Sequence, residues 1–142
     1  MPRINWIRLI IGALVAAILL FVSDGLMHER WLHPDWLAVY NNLRATAPEE
    51  TPVSLIYFAI YELGRGFTAL LLYVLMRDRF SRGPKTAVLA GLFTWIAFSL
   101  TGPAQFIPLG FFSHALWIKM AIAHLITTIV ATIAGAAIYK SE

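Results

Sequence analysis

Glu62 and Arg65 stand three residues apart inside a stretch, Val53 to Met76, that is otherwise apolar. That spacing brings a carboxylate and a guanidinium within direct pairing range on one helix. A second apolar stretch carries His124 on a face shared with Ala121, Thr128, Ala131 and Gly135. Asp24 and His28 sit one helical turn apart near the end of a third. Such groups bind ions, relay protons or ligate metals. Isolated in lipid, each costs on the order of 2.5–3.5 kcal/mol. They are expected to face inward and to find one another.

The chemistry open to each group differs. Glu62 with Arg65 is either a neutralised pair that fixes helix rotation or a functional intramembrane charge. His124 is either a donor to a neighbouring helix or a proton carrier or ligand. Asp24 and His28, with Glu29, His33 and His114 near the same surface, outline a weak divalent-metal site. No H-E-x-x-H or repeated E-x-x-H spacing supports it. His114 and His124 lie on one span, so a bis-histidine haem lacks a second histidine at the depth of His124. The glycines form no nucleotide loop. Gly12 with Ala16, and Ala131 with Gly135, have the spacing of helix-packing faces. No cofactor is implied by any motif.

The elements that position these residues follow from composition. The chain has 142 residues, 59% hydrophobic and 13% charged, with a mean hydropathy of +0.71. Soluble domains carry about 25% charged residues, so a soluble globular enzyme is excluded. There is no cysteine, which removes disulfides and thiol chemistry. Crossing a bilayer takes about 20 apolar residues. Spans are expected over about 6–27, 53–76, 86–102 and 114–139, making one all-α transmembrane domain, a four-helix bundle. Ser23-Asp24-Gly25-Leu26-Met27 offers no small-x-small cleavage site, so the first span reads as a retained anchor.

Arg3, Arg8, Arg77, Arg79, Arg82, Lys85 and Lys140 all fall on one side of such a bundle. The positive-inside rule places that side, with both termini, in the cytoplasm. The net charge of +3 is thereby explained by topology and contact with anionic lipid, without nucleic acid. On the outer side, Pro34 to Arg44 keeps helical phase, with Trp36, Leu37, Tyr40 and Leu43 on one face. A short amphipathic interfacial helix is expected there, with Trp31, Trp36 and Tyr40 as interfacial anchors. Gly102-Pro103 should disturb the third span. The segment 103–112, with Pro103, Pro108 and Gly110, is expected as a Pro-broken outer segment.

Counted from the outer ends at about 1.5 Å per residue, Glu62 lies about 13 Å deep, Arg65 about 18 Å and His124 about 16 Å. These form a midplane cluster. Asp24, His28, His114 and Lys119 are expected as an outer vestibule, Lys119 only about 9 Å down.

The stretch LYVLMRDRFSRGPKTAVLAGLFTW (Leu72 to Trp95) and the ending ATIAGAAIYK (Ala131 to Lys140) resemble a group of small uncharacterised bacterial four-span membrane proteins. The resemblance covers mainly Leu72–Lys140 and rests on the basic loop and the small-residue last span. It implies a bacterial inner-membrane bundle and carries over no catalytic residue.

Three functions are compatible with these features. The leading one is an accessory or assembly subunit, or a binder of lipid or another hydrophobic molecule, within a homo-oligomer or larger membrane complex. The second is an oligomeric transporter or proton conductor built on the midplane cluster. The third is a membrane-embedded metal-dependent enzyme with an outward-facing site.

Overall fold

The computed structural model describes residues 4–44 and 51–139. Helix α1 spans Trp6–Arg30, α2 His33–Asn42, α3 Pro52–Met76 and α4 Pro84–Trp95. A π-helical stretch, Ile96–Thr101, carries α4 into the short α5, Gly102–Ala104, and α6 spans His114–Ile138. Four helical segments are long and apolar enough to cross a membrane: α1, α3, α6 and the continuous run Pro84–Ala104. At 25 residues, α1, α3 and α6 are each about 37 Å long.

Local chemistry sets the helix starts. The Asn5 side chain accepts from the Arg8 amide and the Ser113 side chain from the Leu116 amide. Thr51 and Ser54 form a reciprocal capping box. Pro34, Pro52 and Pro84 occupy first turns, where a missing N–H costs nothing.

Around the bundle α1 packs on α3 and α6, while α4 completes the square against α3 and α6. The Asn5 amide donates to the Tyr139 hydroxyl at 3.0 Å, and the Arg77 guanidinium lies 4.9 Å from the Tyr139 ring centroid. Both ends of the described chain thus meet the α3–α4 turn at one end of the bundle, and α2 covers the other.

The core has two apolar layers with a polar one between. Toward the termini lie Leu9, Ala13, Ala16 and Leu20 with Leu70, Tyr73, Ala87, Ala90 and Ala131. Under α2 lie Leu32, Val39, Leu116 and Met120, with Met27, Trp36 and Phe112 against them.

Four details go beyond the expected layout. The first is that α1 continues as helix past Met27 to Arg30. The second is at Gly102-Pro103, which disturbs the third span as expected: the helix widens into a π turn just before the proline, whose N–H is missing. The carbonyls thereby released are capped by side chains. Tyr61 Oη donates to Phe98 O at 3.3 Å, Trp117 Nε1 to Leu100 O at 3.0 Å and Thr101 Oγ1 to Ile96 O at 2.8 Å. Third, α2 keeps Leu37 and Leu43 on its outward face, as an interfacial helix would, and seats another face on the bundle. Val39 is its buried residue, whereas Leu37 and Leu43 are exposed, because the helix is seated on the first turns of α6. Fourth, Trp36 is no free anchor. Its indole donates to His28 and stacks edge-on with Phe112 at 6.1 Å, while Trp31 is exposed and Tyr40 half-buried. The segment after Ala104 is a series of turns, as expected, with Gly110 at φ 75, a conformation that favours glycine.

Candidate functional site

Every buried residue of α1 except the last is apolar or glycine: Leu9, Gly12, Ala13, Ala16, Ala17, Leu20 and then Asp24. The stripe follows helical periodicity, so it delivers the Asp24 carboxylate into the bundle. On α3 the inward face opens with Glu62, Arg65 and Gly66. On α6 it presents His124 and Thr128 between Ala121 and Ala131. These three faces meet in the polar layer.

Arg65 is its centre and is wholly buried. Its Nη1 donates to Asp24 Oδ2 and to both oxygens of Glu62, at 3.0 and 2.9 Å. Its Nη2 donates to Thr128 Oγ1 at 2.8 Å. The Tyr61 ring lies 5.5 Å from the guanidinium carbon, a favourable placement for a cation beside an aromatic ring. One guanidinium therefore joins α1, α3 and α6, and the Tyr61 hydroxyl links the group to the π turn.

The imidazoles complete the layer. His124 Nε2 lies 3.3 Å from Asp24 Oδ2, yet neither ring nitrogen of this 7% exposed residue has a well-directed hydrogen bond. The His28 and His124 ring centroids are 5.7 Å apart. Trp36 Nε1 donates to His28 Nδ1 at 2.8 Å, so a neutral His28 carries its proton on Nε2. Thr127 Oγ1 lies 3.4 Å from Asp24 Oδ1.

Glu62, Arg65 and His124 thus belong to one layer, with the pairing their spacing predicts. The outer vestibule does not form as a group. Asp24 leaves it for the centre of the cluster and His28 adjoins His124. Lys119 is held by Asp35 of α2 at 2.9 Å, and His114 is exposed at the start of α6. Counting depth from span ends misplaces Asp24 and His28 because it assumes a common starting plane. Met27 instead packs with Leu116 and Met120, which sets the α2 end of α1 beside the first two turns of α6. The second histidine that was missing at the depth of His124 is therefore His28. The two rings touch within a packed layer.

The metal outline does not assemble either. Asp24 is engaged by Arg65 and His28 Nδ1 by Trp36. Among the described residues no three His, Asp or Glu side chains are grouped to hold a metal ion. Sequence reasoning missed Asp24, Thr128, Tyr61 and Trp36 as members of the layer. For Asp24 a signal was present: it continues the small-residue stripe of α1 in phase.

No protein-family model matches the chain, and no curated protein or solved structure matches it significantly. What the cluster does has to be derived from its own geometry.

Proposed function

We propose that the chain is a small protein of the bacterial inner membrane, with both termini cytoplasmic, that serves as an accessory or assembly subunit of a larger membrane complex. Its composition, the basic residues Arg8, Arg77, Arg79, Arg82 and Lys85 toward the terminal end, and the resemblance of Leu72–Lys140 to bacterial four-span proteins favour that setting.

The observation that carries the reading is the start of α3. Every buried residue of this helix lies at Glu62 or beyond. From Val53 to Tyr61 only Ser54 and Ala59 are even half-buried. Val53, Ile56, Tyr57, Phe58 and Ile60 are exposed on successive faces, Tyr57 by 70%. Helices in lipid associate through close packing and hydrogen bonds, and the first two turns of α3 are left largely uncovered by the described residues of their own chain, whose contacts begin with Tyr61 on Phe98. A neighbouring protein helix fits that gap better than lipid alone, because it would cover the exposed run Val53, Ile56, Phe58 and Ile60 and give the Tyr57 hydroxyl a partner.

A photo-crosslinking residue at Tyr57 should trap a protein partner stoichiometrically in native membranes. The same probe at Ile18, exposed on α1, should meet lipid. Lipid adducts at both sites would refute the reading.

A second reading, an oligomeric proton conductor, draws on the charged layer. Toward the termini, however, the bundle is closed by backbone contacts. A Cβ on Gly12 would stand 2.6 Å from Gly135 O, and one on Gly66 2.7 Å from Ala13 O. A conductive path would have to run between subunits.

A further inference from the structure

The polar layer does not balance in charge. Arg65 supplies one positive charge, whereas Asp24 and Glu62 together supply two negative ones, and all three are buried. His28 and His124, if neutral, contribute nothing. Among the described residues no other charged group is paired with the layer. Among the described residues, the remaining titratable neighbour from α3 is Tyr61, α2 contributes the Trp36 indole, and the π-helical stretch contributes the Phe98 carbonyl through Tyr61. The nearest further cation on α6, Lys119, is committed to Asp35. A net charge of −1 in a low-dielectric interior is costly unless something neutralises it.

Geometry indicates what does so. Asp24 and Glu62 converge on the same nitrogen, Arg65 Nη1, so the two carboxyl groups are close neighbours that both resist ionising together. Asp24 Oδ2 also faces His124 Nε2 at 3.3 Å, and that buried ring has no other directed partner. We infer that the Asp24–Glu62–Arg65–His124 layer is a binding site for one exchangeable proton, shared between the carboxyl pair and His124. The bound proton brings the layer to neutrality. Its path of exchange leads past His28 toward α2, since the opposite direction is closed by the Gly12–Gly135 and Gly66–Ala13 contacts.

Infrared difference spectroscopy on the intact chain in lipid nanodiscs, combined with ¹⁵N-histidine NMR, counts this proton directly. The expected result near neutral pH is one carboxylic acid or one imidazolium per chain, sensitive to deuterium exchange. Its occupancy should be indifferent to Na⁺ or K⁺. Glu62→Gln and Asp24→Asn should each abolish it, because removing either negative charge leaves Arg65 balanced by the other. Ionised carboxylates with neutral imidazoles throughout would overturn the inference. So would a proton that survives in both variants, or a signal displaced by Na⁺ at constant pH, which would make a metal cation the neutralising ligand. The wild-type spectrum decides the first of these even if a variant fails to fold. The count is independent of any partner at α3, so it stands or falls separately from the accessory reading.

Discussion

The two halves of the bundle are held together by different forces. Toward the termini, helices cross at glycine and alanine with backbones in contact: Gly12 on Gly135, Gly66 on Ala13 and Ala17, and Gly91 on Ile129. Buried hydroxyls there bond to their own helix, as Thr132 does to Thr128 O and Thr94 to Ala90 O. Toward α2 the space between helices is filled by long polar and aromatic side chains that bond between elements. Arg65 reaches three helices, Trp95 Nε1 donates to Ala121 O at 2.7 Å and Trp117 Nε1 to Leu100 O. Close packing in lipid depends on shape alone. The polar half depends on charge and proton balance as well. One half is thus a fixed clamp, and the other is the part whose stability a proton or a partner can alter.

The largest effect should come from removing the central cation. Arg65→Met leaves Asp24 and Glu62 facing each other without a positive charge. Breaking a buried ion pair on one side costs about 3–5 kcal/mol. Glu62→Gln should cost less, because Arg65 keeps Asp24. For the same reason the double exchange of Glu62→Gln with Arg65→Met should not restore stability, as it strands Asp24. Adding Asp24→Asn should recover part of the loss. Unfolding in mixed detergent micelles reads these differences. Equal losses for Arg65→Met and Glu62→Gln would show that the charged half is not organised around the guanidinium.

The same contrast separates what was legible in the sequence from what was not. The helices follow from apolar length, and the Glu62–Arg65 pair follows from spacing on one helix. The inward face of His124 follows from the small residues in phase with it. These are properties of single helices. Asp24 meeting Arg65, His28 beside His124 and Lys119 on Asp35 depend on how far one helix slides along another, which no single-helix pattern encodes. The burial of Val39 under α2 depends likewise on the seat of that helix on α6. Gly102-Pro103 signals the disturbance of the third span but not its form, because the π turn is supported by Tyr61, Trp117 and Thr101, and two of those three lie on other helices.

An intermediate effect is expected from the clamp. In Gly135→Ala the new Cβ would stand 2.5 Å from Gly12 O and 2.7 Å from Leu70 Cδ2. The backbone oxygen cannot rotate away, so α1 and α6 must separate. Overpacking of this kind costs about 1–3 kcal/mol. Gly64→Ala, with nothing within 4 Å of the new Cβ, serves as the control and should be neutral or slightly stabilising. Both are read in the same unfolding assay, in which the Gly135→Ala loss should not vary with pH. A pH-dependent loss would mean that the two halves are coupled.

The smallest effect is expected where the polar half meets its surroundings. Lys119 and Asp35 pair at 2.9 Å, but their side chains are 42% and 24% exposed. Partly exposed pairs contribute about 1 kcal/mol or less. Moreover, α2 has two further attachments: Leu32 and Val39 against Leu116 and Met120, and the Trp36 indole on His28. Lys119→Met should therefore leave global unfolding nearly unchanged. It should act locally, speeding amide hydrogen exchange in α2 while α1, α3 and α6 keep their protection, because a segment can open without the bundle. Raising salt on the wild-type chain should imitate the change, since exposed charges are screened. A global loss as large as that of Gly135→Ala would instead make α2 a structural staple of the bundle. The route past His28 would then open only on unfolding, and proton exchange with the Arg65 layer would slow to the rate of that event.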